Sequence, residues 1–196
     1  ALVISRDPGR TALAGALRAG AIGGLLGTIG YDLVRVPFEA AGVRVLSPID
    51  SYGLLLMGAE SSSPVTGFAG WFFHATNGVC FGVAFAMVAA GKRLPWAVGW
   101  AMVLETATIV TPFVDRYGLA GRYELMAVAY GAHLAYGIPL GMACRDPQRF
   151  GRHLDEIAPH AAAGALGAAV VALGMGQRPW AGPPAIAAGR DVAAGP

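Results

Sequence analysis

Four runs of about 20 mostly apolar residues, each closed by charged or turn-forming residues, constrain this chain more than anything else in it. They extend from about Thr11 to Val36, Val65 to Ala90, Pro95 to Val114 and Glu124 to Cys144. Hydrocarbon offers no hydrogen bonds, so a run of this length must satisfy its own backbone as a helix. Composition agrees: 55% of the 196 residues are hydrophobic and only 13% are charged, at a mean hydropathy of +0.54. A soluble domain carries about 25% charged residues. The 29 glycines suit helices that pack backbone to backbone in lipid. The expected fold is therefore an all-α, polytopic transmembrane helical bundle with four core spans.

A fifth run, about Ile157 to Gly176, is rich in Ala and Gly and is barely long enough to cross; the expectation is that it spans. Residues 1–144 thus form the bundle, with an outer loop at 37–64. Residues 145–176 supply a cytoplasmic connection and the fifth helix. The Pro/Ala/Gly-rich residues 177–196 read as an irregular tail. The first run lacks a secretory cleavage signature and is expected to be retained. Arg6, Arg10, Arg18, Lys92, Arg93, Arg145, Arg149 and Arg152 fall on the side of the N-terminus, against Arg35, Arg44, Arg116 and Arg122 opposite. The positive-inside bias favours an N-terminus in the cytoplasm. Within the outer loop, Tyr52 to Met57 is apolar enough to lie on the membrane surface.

Several functions are excluded by what the chain lacks. A net charge of +2 with no basic, aromatic-interleaved stripe argues against nucleic acid as a partner. No Ser-His-Asp set, phosphate-cradling glycine loop or CxxC is present, which disfavours a hydrolase, an ATPase or a thiol oxidoreductase. Cys80 and Cys144 lie inside apolar runs and read as small buried residues. Trp71, Trp96, Trp100 and Tyr123 suit interfacial aromatic belts. Arg18 and Arg35 read as snorkelling side chains, and Arg35 also stands three residues from Asp32, a spacing that allows an ion pair.

Two histidines stand out against this apolar background. Gly70-xxx-His74-xxx-Gly78-xxx-Gly82 on the second run repeats as Ala129-xxx-His133-xxx-Gly137-xxx-Gly141 on the fourth. Steps of four return to nearly the same helix face, so each imidazole tops a row of glycines. The preceding runs also match, ending in Val36-Pro37-Phe38 and Thr111-Pro112-Phe113. Two repeated hairpins related by a pseudo-two-fold axis are therefore expected. By helical rise, both histidines sit roughly 13 Å below the outer boundary, with Glu105 at a similar depth and Asp32 nearer the surface.

The segment Ser63 to Cys144 resembles a group of small, four-helix bacterial inner-membrane proteins of unknown function. The likeness rests on Phe68-Ala-Gly-Trp-Phe-Phe-His74-Ala-Thr-Asn-Gly78, on Ala132-His133-Leu-Ala-Tyr-Gly137-Ile-Pro-Leu-Gly141, on Thr111-Pro112 and on the loop Tyr117-Gly118-Leu-Ala-Gly121. It implies a four-helix core and names no substrate. The long first outer loop and the added C-terminal segment depart from the group.

Intramembrane ionisable groups are costly and tend to mark function, and several chemistries suit these residues. His74 and His133 would supply both axial ligands of a haem b in an electron-transfer subunit, with Gly78 and Gly137 leaving room for the ring. His74, His133 and Glu105 would suit a divalent transition metal. Asp32, Glu105 and the histidines would form a proton or ion path, with Thr106, Thr108 and Thr111 adding hydroxyls. Against these stands plain packing: imidazoles bonded to neighbouring helices, and glycine rows that only let helices approach. That alternative makes the protein a non-enzymatic anchor or accessory subunit of a larger membrane complex, with lipid and other membrane subunits as its partners.

Overall fold

The computed structural model describes residues 8–42, 48–116 and 119–158. The chain divides after Glu156, and of the second unit only Ile157 and Ala158 are described. The expected fifth helix and the tail therefore lie outside the described residues. The first unit contains α1 (Pro8–Ala40), α2 (Pro48–Met57), α3 (Pro64–Ala89), α4 (Leu94–Ile109), α5 (Phe113–Arg116) and α6 (Tyr123–Arg145), followed by further helical residues from 147. Among the described residues there is no strand.

Local chemistry sets most of the boundaries. Ser63 caps α3 reciprocally with Thr66: the Thr66 N–H donates to Ser63 Oγ at 3.2 Å, and the Ser63 N–H donates to Thr66 Oγ1 at 2.8 Å. Pro64 then occupies the first helical position, where a missing N–H costs nothing. Pro37 does not end α1, which runs on to Ala40. The proline sits in the last turn, so the helix loses one bond and resumes, with the Ala41 N–H donating to the Pro37 carbonyl. Pro112 acts differently. α4 stops at Ile109, a turn carries Thr111 and Pro112, and α5 restarts at Phe113. The expected third span is thus broken near its end, and α4 alone reaches only about 24 Å by helical rise.

Among the described residues, three helices are long and apolar enough to cross a membrane: α1, α3 and α6. The distribution of side-chain size supports that environment. The interior is built from small residues, among them Ala19, Ala86, Ala97, Ala101 and Ala132. Large apolar side chains point outward, with Leu33 72% and Phe68 73% exposed. Water would expel such a surface; hydrocarbon accepts it, and close packing of small residues then holds the helices together.

Glycines decide which helices meet. α1 carries two adjacent glycine faces. Gly20 and Gly24 lie on Gly78 and Gly82 of α3, where a Cβ on Gly20 would sit 2.6 Å from the Gly82 carbonyl oxygen. Gly23, Gly27 and Gly30 face Ala143, Tyr136 and Ala135 of α6. Pro139 cannot donate to the Ala135 carbonyl, and Gly30 of α1 packs against that carbonyl, where a Cβ would lie 2.7 Å from its oxygen. α6 in turn places Gly137 and Gly141 on Ala97, Val98 and Leu94 of α4. The neighbours therefore run α3, α1, α6, α4, whereas α3 and α4 touch only slightly. A two-fold relating the hairpins would make the α3–α4 contact equal to the α1–α6 contact. Packing departs from that symmetry and leaves a cleft between α3 and α4.

The short α2 does not lie loose on a surface. Gly53 and Gly70 bring it against the first turns of α3, Ile49 is buried there, and the Tyr52 and Phe73 rings meet at 4.9 Å. At the other end, Arg18 Nη2 donates to Asp155 Oδ1 at 2.7 Å. That hydrogen bond to the guanidinium holds the Asp155 carboxyl below the usual carboxylate range.

Candidate functional site

The site forms where the small-residue seams end. Along α1, Gly20, Gly24, Thr28 and Asp32 follow at steps of four, facing Gly82, Gly78 and His74 of the antiparallel α3. Small residues allow contact for three turns; the next turn brings a carboxylate to an imidazole. His74 Nε2 lies 3.1 Å from Asp32 Oδ1 and 3.2 Å from Oδ2. The second hairpin repeats the device. Ala97, Ala101 and Glu105 of α4 face Gly137 and His133 of α6, and His133 Nδ1 lies 3.1 Å from Glu105 Oε2. Each histidine is matched to one acid by the same ladder geometry.

Hydrogen-bond partners fix the tautomers of the neutral rings. An ionised carboxylate only accepts, so His74 Nε2 carries the hydrogen. His133 Nδ1 is 3.0 Å from the Ala129 carbonyl, which also only accepts, so Nδ1 carries it there. Each ring keeps its other nitrogen as an acceptor.

Tyr31 joins the two pairs. Its ring centroid lies 5.6 Å from that of His74 and 5.1 Å from that of His133, edge-on to the latter. The order α3, α1, α6 makes this possible, because a residue on the central helix reaches both flanks. Tyr136 ties the same region from α6, donating to the Gly78 carbonyl at 2.7 Å. Both imidazoles line one cavity of about 590 Å³ in the α3–α4 cleft, which Tyr52 and Leu55 of α2 and Phe113 of α5 also line.

Arg35 is 1% exposed and does not snorkel to an interface. It donates to Glu39 at 2.9 Å and to Asp32 at 3.3 Å, so the expected i,i+3 pair forms inside the protein. Asp32 thereby sits between a guanidinium and an imidazole. Glu105 has no such cation. It is 2% exposed, and its Oε1 finds no hydrogen-bond partner.

No protein-family model, curated protein or solved structure matches this chain. What the site can do must therefore be read from its own atoms.

Two of the expected chemistries do not suit those atoms. Gly78 and Gly137 leave no room for a porphyrin, because neighbouring helices fill the space. A Cβ on Gly78 would collide with Thr28 Oγ1, and one on Gly137 would lie 2.9 Å from Val98 Cα. The HxxxGxxxG pattern turns its glycines toward the partner helix of the hairpin, which is the face a haem would need. A metal set of His74, His133 and Glu105 is not gathered either, since the imidazoles divide between two acids. Among the described residues no group of three or more His, Cys, Asp or Glu side chains converges on one point. Asp32, Glu105 and both histidines do assemble as titratable pairs. Of the hydroxyls expected beside Glu105, Thr108 and Thr111 reach the cavity. Thr106 faces Tyr130 at 3.0 Å instead.

Sequence reasoning passed over Tyr31 and Tyr136. It also passed over the ladders that lead to each acid, although Gly24-xxx-Thr28-xxx-Asp32 and Ala97-xxx-Ala101-xxx-Glu105 are plain in the chain.

Proposed function

We propose that this protein is a non-enzymatic subunit of a bacterial cytoplasmic-membrane complex, and that its acid–imidazole pairs take up and release protons from one side of the membrane. The observation that carries the reading is the meeting of both imidazoles, through Tyr31, at a single cavity that Glu105 also lines, with Asp32 bonded to His74 beside it. Buried pairs of this kind are expensive in lipid and are retained where charge or protons move.

In this reading the chain crosses four times, with α4, the Thr111–Pro112 turn and α5 making up the third crossing. The arginine distribution supports a cytoplasmic N-terminus, an orientation in which the cavity faces outward. The likeness of the histidine motifs to small four-helix inner-membrane proteins supports the same topology. The proton path is half a path. Between the imidazoles and the cytoplasmic end, α1, α3, α4 and α6 carry no Asp, Glu or His, and where these helices meet they are packed largely by Gly, Ala and larger apolar residues. A complete route therefore needs groups from another subunit, which favours membership of a larger complex.

Infrared spectroscopy of the full chain in lipid tests this. Stepping the pH should reveal a protonated-carboxyl C=O band that Glu105→Gln removes, while the chain alone conducts no protons across liposomes. A spectrum in which Glu105→Gln changes nothing overturns the reading.

A further inference from the structure

The cavity offers a coherent set of binding groups once its hydrogen-bond donors are traced. Thr28 donates to the Gly24 carbonyl at 3.0 Å, Thr108 to Leu104 at 3.2 Å and Thr111 to Ala107 at 2.7 Å. Tyr136 donates to Gly78, and the N–H groups of both imidazoles are spent on Asp32 and the Ala129 carbonyl. What remains on the lining residues is mostly acceptors: hydroxyl lone pairs, the second nitrogen of each imidazole, and the Glu105 carboxyl, whose buried Oε1 has no hydrogen-bond partner. Asn77 and the hydroxyls of Tyr31 and Tyr52 donate as well as accept. Among the described residues, no lysine or arginine lines the space.

Its walls are aromatic. Tyr52, Phe73, Phe81 and Phe113 surround the acceptors, and π-faces attract cations as well as apolar groups. A volume of about 590 Å³ suits a small organic molecule. In its ionised form, a buried carboxyl with one oxygen unsatisfied, in a space short of donors and walled by rings, calls for a cationic donor.

We propose that the cavity binds a lipophilic ammonium ion: a protonated primary or secondary amine on an apolar or aromatic body. Its N–H groups would satisfy Glu105 Oε1 and a neighbouring acceptor, and its body would lie among the rings. The proposal rests on the reading of Glu105 as the ionising group. The other titratable groups facing Glu105 are His133 from α6, Tyr31 from α1 and, beyond Tyr31, His74 from α3. Asp32 and Arg35 stand behind His74 and Tyr31, already paired with each other.

Calorimetric titration of the full chain in detergent with 1-naphthylmethylamine tests the proposal, with 1-naphthylmethanol as the neutral counterpart of similar size. Binding of the amine is expected, with the alcohol weaker by about tenfold or more because it cannot pair with a carboxylate. Glu105→Gln should weaken the amine by a similar factor, and Phe81→Ala by about threefold. Size-exclusion and circular dichroism profiles establish that each variant is folded. Should Glu105→Gln prove unfolded, the amine–alcohol comparison on the unaltered chain and the Phe81→Ala variant still decide. No amine binding, equal binding of amine and alcohol, or an amine affinity untouched by a folded Glu105→Gln each overturns the proposal. The infrared band separates the two ideas: a band that depends on Glu105 without amine binding sinks the ligand alone, whereas Glu105-dependent amine binding without the band sinks the proton reading alone.

Discussion

Gly24→Ala is expected to force α1 and α3 apart and to cost roughly 3 kcal/mol, at the upper end of what overpacking usually costs. One added methyl would collide with the Gly78 carbonyl and crowd the Gly82 Cα, and both are backbone of a helix that cannot give way by changing a rotamer. The damage should travel. Thr28 and Asp32 follow Gly24 on the same face, so a displaced seam also pulls Asp32 from His74. Gly131→Ala makes the control. A Cβ there meets nothing within 4 Å, and alanine is favoured over glycine in a helix by about 1 kcal/mol. Thermal unfolding of the two variants in detergent should move in opposite directions. Equal and small shifts would mean that the glycine faces do not set the helix order.

Arg35→Met should be comparably severe, at roughly 3–5 kcal/mol, because breaking a buried ion pair strands its partners. The side chain is 1% exposed, and its guanidinium answers both Asp32 and Glu39. Methionine preserves the apolar stem and removes only the charge and the donors. Asp32 then has the His74 imidazole as its remaining partner, so a further consequence is a change in the His74 ring signals by NMR while those of His133 hold. An exposed, snorkelling arginine would instead lose under about 1 kcal/mol on the same substitution.

The helices were legible because apolar length is written directly in the chain. α1, α3 and α6 fall within a few residues of the runs that announce them. Proline proved ambiguous on its own: Pro37 sits in a last turn that absorbs it, whereas Pro112 separates α4 from α5. The glycine rows were visible too, but a row of small residues says only that something approaches. It does not say whether that is a ring or a helix, and here it is α1 against α3 and α4 against α6. The level shared by Glu105 and the histidines was readable from helical rise. Which acid meets which imidazole was not, since that depends on the side-by-side order of the helices. Tyr31 shows this most clearly. Its sequence neighbourhood gives no sign of a bridging role, which exists only because two glycine faces on α1 draw α3 and α6 to either side. The same order separates α3 from α4 and opens the cavity, a consequence that no local pattern contains.

Solid-state NMR on the full chain in lipid bilayers, with tyrosine and histidine rings isotopically labelled, addresses the core of this account. Tyr31 should give through-space cross-peaks to both His74 and His133, and Tyr31→Leu should abolish them together. Cross-peaks to one imidazole alone, or to neither, would mean that the two imidazoles do not meet at one cavity.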